Sequence, residues 1–140
     1  IMSIDEGTKK ILIDHDRVLI GASIRYGKYR SNVYKFINEN IDILRDKSAS
    51  FFSVNVVARK SDKNTPETNP YVVKLLKQTE WQPTYTAVFA GKIDYPKYGF
   101  LDKHIIRFIM WITKGPTDLS KSYEFTDWQA IENFAAQISY

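Results

Sequence analysis

Two hydrophobic patterns take turns along this chain. RVLIGAS (17–23), SASFFSVNVVA (48–58) and YTAVFAGKI (85–93) are near-continuous apolar runs bounded by turn residues, the pattern of strands covered on both faces. Between the first two, Val33, Phe36, Ile37, Ile41 and Leu44 recur at three- and four-residue spacing. That predicts an amphipathic helix within 30–47 with Ser31 as its N-cap. KSDKNTPETNP (60–70) reads as a polar loop. Asn69 then caps, and Pro70 opens, a helix over 70–81 with Val72, Val73, Leu75 and Leu76 inward. SYEF (122–125) predicts a short strand. In the final helix, 126–140, Thr126 and Gln129 form a capping box, and Trp128, Ile131, Phe134, Ala135 and Ile138 share a face. IMSI (1–4) is expected to be the tail of a strand.

Strands alternating with helices predict one domain, residues 1–140, with a doubly wound α/β parallel sheet. In such sheets ligands bind beyond the C-terminal strand ends, where the strand order switches. That puts residues 23–29, 55–60 and 91–95 on the functional rim.

Composition removes several chemistries. There is no cysteine, hence no disulfide, thiolate metal site or cysteine nucleophile. The two histidines, His15 and His104, are far apart in sequence and lack a ligand constellation, so no metal site is expected. Neither GxxxxGK[ST] nor GxGxxG occurs, and Ser53 lacks a nucleophile-elbow pattern. The net charge of +4 permits anionic ligands, anionic lipid or nucleic acid without requiring any of them, and no nucleic-acid partner is expected.

A flat aromatic cofactor with little need of side-chain catalysts fits what remains. A flavin ring wants apolar or aromatic faces, backbone N–H groups at its pyrimidine edge and positive charge near N1; Arg25 and Tyr26 supply suitable chemistry. On residues alone, Tyr26 and Tyr29 serve equally as covers for the sheet edge with Arg25 in solvent.

Residues 94–121 form an insertion before the last strand. Its centre, LDKHIIRFIMWIT, is apolar over most of its circumference, and Lys103, Arg107 and Lys114 fall near one another on a helical wheel. A helix of ~13 residues is ~20 Å long, too short to span a bilayer. It suits either a membrane interface, with Trp111 among lipid and cations at headgroups, or packing on the sheet or on a second copy in a homo-oligomer.

GASIRYGKY, FFSVNVVARKSDKNTPETN, AGKIDYPKY, the basic apolar insertion and FTDW together resemble the menaquinone-dependent protoporphyrinogen IX dehydrogenases of bacteria, flavodoxin-like FMN proteins of haem biosynthesis. The resemblance runs from Ile1 to Tyr140. It implies FMN-dependent oxidation of protoporphyrinogen IX, with electrons passed to menaquinone or ubiquinone, by a cytoplasmic protein peripheral on the inner membrane. It implies FMN contacts from Ser23, Ile24, Arg25, Tyr26 and Gly27, and from Ser53, Val54, Asn55, Val56, Val57 and Ala58. Substrate or membrane contacts are expected at Tyr95, Lys97, Tyr98, Lys103, Arg107 and Trp111. No catalytic side chain is assigned.

The resemblance departs at one end. The family's phosphate loop follows a first strand that lies inside the order 2-1-3-4-5, and neither is evident here, so the chain is expected to be truncated at its N-terminus. Two other readings remain. A flavodoxin-type electron carrier or general quinone reductase is disfavoured by the basic charge, and a membrane-surface module without cofactor rests only on the missing loop.

Overall fold

The computed structural model describes residues 1–139, so Tyr140, the last residue of the expected final helix, lies outside the described residues. The chain opens differently from the expected strand tail. Ser3 accepts from the Asp5 N–H while Glu6 accepts from the Ser3 N–H, closing a capping box around a 3-10 turn, Ile4–Glu6. Reciprocal capping satisfies these amides locally and leaves no extended ladder. A five-residue helix follows, α1 (Lys9–Ile13), capped by Thr8.

Strand β1 (Arg17–Ser23) leads to two helices rather than one, α2 (Ser31–Glu39) and α3 (Ile41–Asp46). The break falls at Asn40, whose buried side-chain amide donates back to the Phe36 carbonyl at 2.8 Å. A short amide side chain competing for backbone partners explains the interruption. Arg30, not Ser31, holds the N-cap position, without a side-chain cap bond. Strand β2 (Ser48–Val54) passes through two 3-10 turns, Val56–Arg59 and Ser61–Lys63, to α4 (Pro70–Thr79). Asn69 caps α4 as expected, accepting from Tyr71 and Val72, and buries Val72 and Leu75 beneath it, while Val73 is exposed.

The third apolar run divides. Strand β3 (Thr86–Phe89) belongs to the main sheet, and β4 (Lys92–Asp94) belongs to a separate ribbon. Between them Gly91 takes φ 74°, a left-handed conformation suited to glycine. After a 3-10 turn (Tyr95–Lys97) come α5 (Phe100–Ile112), β5 (Ser122–Glu124) and α6 (Trp128–Ser139). The expected Thr126–Gln129 box does not form. Asp127 accepts the Ala130 N–H instead, and Gln129 bonds to Asn133. Of the expected apolar face of α6, Phe134 is buried, whereas Trp128 and Ala135 are exposed.

The main sheet runs β1-β2-β3, all parallel, with Gly21 opposite Phe52 and Phe51 opposite Thr86. The ribbon pairs β4 antiparallel to β5, Asp94 facing Ser122, so the insertion leaves and returns at neighbouring points. Its own small core, Ile93, Tyr95 and Met110, touches Val56, Tyr98, Ile106 and Phe125. The larger core lies between the sheet and α2–α4, around Ile37, Leu44, Phe51, Val72, Leu75 and Trp81. An edge-to-face chain of rings, Tyr29–Phe51–Trp81, runs through it.

Asn69 joins α4 to the sheet as well as capping it, because its amide exchanges hydrogen bonds with Asn55 (3.0 and 3.4 Å). Asn69→Ala removes the cap and strands a buried amide. Urea denaturation should register a loss of about 2–4 kcal/mol; a loss below about 1 kcal/mol contradicts this joint role.

Candidate functional site

Parallel strands deliver their C-terminal ends to one rim, and the rim loops are shaped by their own turn chemistry. After β1 the chain makes a tight reversal in which Arg25 and Lys28 exchange backbone hydrogen bonds. Tyr26 (φ 51°) and Gly27 (φ 75°) occupy its tip, both left-handed as a primed two-residue turn requires. A Cβ at Gly27 would meet nothing within 4 Å, so the turn conformation, not crowding, calls for glycine. After β2, Asn55 N–H bonds the Phe89 carbonyl at 2.9 Å, extending the sheet before the chain coils into its 3-10 turn.

Behind both loops lies a buried polar cluster. The buried Tyr29 hydroxyl donates to Ser53 Oγ at 2.6 Å, and Asn55 Nδ2 donates to the same oxygen at 2.9 Å. Asn55 then reaches Asn69, whose Nδ2 also holds the Lys63 carbonyl at 2.9 Å. Burial pushes the Tyr29 phenol up to about 12, against a smaller lowering by its bond to Ser53.

In front of the loops is a cleft of about 320 Å³. Ser23, Ile24, Arg25, Tyr26 and Gly27 form one side and Val54, Asn55, Val56 and Val57 another. These nine are among the residues for which the resemblance implies flavin contact. Ser53 and Ala58, expected beside them, are buried and do not line the cleft, Ser53 being the shared acceptor of the polar cluster. The remaining lining comes from Tyr71, Ala90, Lys92, Ile93 and Tyr98, and from Asp102, Ile106, Ile109 and Met110 of α5. The inner face of α5 escaped the sequence reading, although its 3.6-residue periodicity carried the signal. Its residues were read as one all-round apolar helix, when 102, 106, 109 and 110 share a side.

Residues assigned to the insertion separate into three groups. Tyr95 is fully buried and its hydroxyl donates to the Pro116 carbonyl at 2.8 Å; its edge-to-face neighbours Tyr98 and Tyr123 make it the insertion's core. Tyr98 lines the cleft, and Lys97 pairs with Asp94 at 3.3 Å beside Lys92 at 3.7 Å. The Ser122 hydroxyl, then Lys97, holds the Asp94 carboxyl below its usual range. Trp111 and Arg107 are exposed and Lys103 is half-buried; neither cation has an acidic partner within 4 Å among the described residues.

The outer face of α5 carries Phe100, Leu101, Ile105, Phe108, Trp111 and Ile112, with Phe100 78% and Trp111 69% exposed. At 100° per residue all six fall within one arc, and Arg107 and Lys103 flank it. Among the described residues no helix is long and apolar enough to cross a membrane.

A parallel sheet whose rim loops wall a largely apolar cleft defines an α/β protein with a candidate ligand site at its strand ends. A family model described as a flavodoxin domain matches residues 1–120, and the chain belongs to the flavodoxin domain family. Its relatives include two proteins named protoporphyrinogen IX dehydrogenase [quinone]. The one from Leishmania major is 42% identical over 139 residues, covering 99% of this chain and 60% of that protein. The one from Escherichia coli K12 is 43% identical over 127 residues, covering 91% of this chain and 70% of that protein. The chain therefore spans three fifths of the length of the first and seven tenths of the second. No solved structure matches it.

A flavodoxin domain implies a flavin cofactor. The cleft fits the ring end of such a group. Ile24, Val54, Val56, Tyr98 and Ile106 offer apolar and aromatic faces. The N–H groups of Tyr26 and Gly27 donate to no protein acceptor among the described residues, leaving them for the ring's pyrimidine edge.

The polar cluster behind the cleft has a pH signature. Tyr29 is held neutral in the folded state up to about pH 12, while the unfolded phenol ionises near pH 10. The unfolded chain therefore binds fewer protons between these values, and stability falls as pH rises through that window, by up to about 2–3 kcal/mol. Tyr29→Phe should lower stability at pH 8 by about 1–2 kcal/mol and flatten this alkaline loss relative to the parent protein. Parallel urea midpoints from pH 8 to 12 in both proteins would refute the assignment.

Proposed function

We propose that the protein binds FMN in this cleft, oxidises protoporphyrinogen IX, and delivers the electrons to menaquinone or ubiquinone at a membrane surface. FMN supplies the two-electron acceptor for each dehydrogenation. The chain's residues bind, orient and shield. Rim-loop N–H groups would take the ring edge, leaving Ile106, Ile109 and Met110 across the cleft on the side open to substrate. Arg25 and Lys92 place positive charge at the cleft wall, suited to an anionic ring or to a tetrapyrrole's carboxylates. Both a tetrapyrrole and a quinone are greasy, and α5 presents apolar side chains inward and outward.

The observation that carries the reading is this two-sided helix, roofing the cleft while exposing Phe100, Leu101, Phe108 and Trp111 beside unpaired Lys103 and Arg107. An electron carrier that docks protein partners through charge has no use for such an apolar outer face. In the complete natural protein, anaerobic protoporphyrinogen should bleach the flavin absorbance, and a menaquinone analogue should restore it. A flavin that stays oxidised in the presence of substrate ends this reading.

The membrane contact is tested separately. Replacing Lys103 and Arg107 with Glu should weaken binding to anionic phosphatidylserine-containing vesicles by about 1 kcal/mol per basic charge removed. Binding to neutral phosphatidylcholine vesicles should change little. Unaltered sedimentation with anionic vesicles contradicts a lipid-facing role.

A further inference from the structure

Helix α5 is fastened at each of its ends to a different rim loop. At its N-terminal end Asp102 accepts the Tyr26 hydroxyl from the loop after β1, a contact that holds the phenol above its ordinary value. At its C-terminal end the fastening is Arg59, the last residue of the 3-10 turn after β2. Arg59 Nη2 donates to the Thr113 carbonyl at 2.9 Å and to Thr113 Oγ1 at 3.1 Å, while Nη1 donates to the Val56 carbonyl of its own loop at 3.0 Å.

The helix end is built to receive it. Thr113 is the C-cap, Lys114 turns left-handed (φ 57°), and the Gly115 N–H returns to the Met110 carbonyl at 2.7 Å. A Cβ on Gly115 would stand 3.0 Å from Arg59 Nη2 and closer still to Met110, so this turn lies directly on the guanidinium. A cation at a helix C-terminus also complements the helix dipole. The guanidinium is half-buried, and its planar fork spans two elements at once, which a lysine ammonium with its single nitrogen does less well.

Arg59 does not line the cleft, but its neighbours Val56 and Val57 and the residue it helps place, Met110, all do. We propose that Arg59 is a positioning residue. It locks the C-terminal half of α5 to the β2 loop, and so sets the gap between Met110 and Ile109 on one side and Val56 and Val57 on the other. That gap decides whether a second flat molecule slides in over the first. Resting on the proposed function, this makes Arg59 a determinant of affinity for the planar tetrapyrrole rather than for the flavin, whose ring edge is gripped by the loops themselves.

The test compares Arg59→Met, which keeps the apolar stem, with Arg59→Lys, in the complete natural protein. Amide hydrogen exchange without substrate should quicken by about tenfold over residues 100–112 in Arg59→Met, with residues 31–46 and 70–79 unchanged. The KM for protoporphyrinogen should rise by about fivefold or more, with kcat and flavin affinity each within about twofold of the parent. Arg59→Lys should fall between the two in both measurements. Unchanged exchange over 100–112, faster exchange throughout the domain, or a loss of flavin affinity matching the rise in KM overturns the proposal. If the parent protein turns over no porphyrinogen, the functional reading fails on its own, and the exchange measurement still decides whether Arg59 fixes α5.

Discussion

Ser53 Oγ is sealed from solvent and accepts from two side chains, Tyr29 and Asn55, that belong to different parts of the rim. A buried donor deprived of its partner costs about 1–3 kcal/mol, so these side chains have almost no freedom to shift independently. Tyr29 ends the β1 loop, Asn55 begins the β2 loop, and Asn69, bonded to Asn55, starts α4. One small polar cluster therefore sets three chain segments relative to each other at the edge where the sheet stops supplying ladder bonds.

What stands in front of the cluster inherits its geometry. The β1 loop can be a tight turn with two left-handed residues because Tyr29 is fixed immediately after it. The β2 loop can leave the sheet at Asn55 and coil because Asn55 is held from behind. Contacts at Tyr26 and Arg59 carry that fixed spacing outward to the two ends of α5. The cleft is thus positioned by a relay: buried amides place the loops, and the loops place the roof.

Much of this was legible in the residues, and the failures have physical causes. Strands β1 and β2 and helix α4 followed from apolar runs and from an Asn-Pro start, signals that are local and strong. The break at Asn40, the split of the third apolar run at Gly91 and the capping of α6 by Asp127 rather than Thr126 were missed. Each depends on which of several eligible polar groups wins a backbone partner, and spacing does not rank them. Topology places the rim, and the loop residues expected there, 23–27 and 54–57, line the cleft. Periodicity cannot tell a residue that lines a cleft from one that supports it from behind, however. Ser53, Ala58 and Tyr95 are residues of the second kind.

Helix α5 shows why its composition puzzles when read alone. A helix apolar over most of its circumference is normally buried on all sides, yet here only Met110 is fully enclosed. The small core of the insertion occupies part of its surface, and the cleft occupies a second part. Neither accounts for Phe100, Leu101, Phe108 and Trp111, which lie exposed on the opposite side. Thirteen residues are too few to cross a bilayer, so burying that side requires a surface that the helix lies along. In the proposed reading one thin helix separates a site for a flat greasy substrate from the lipid phase that stores the quinone. Its two apolar faces then answer to two different neighbours, with the cations at its flank marking the boundary between them.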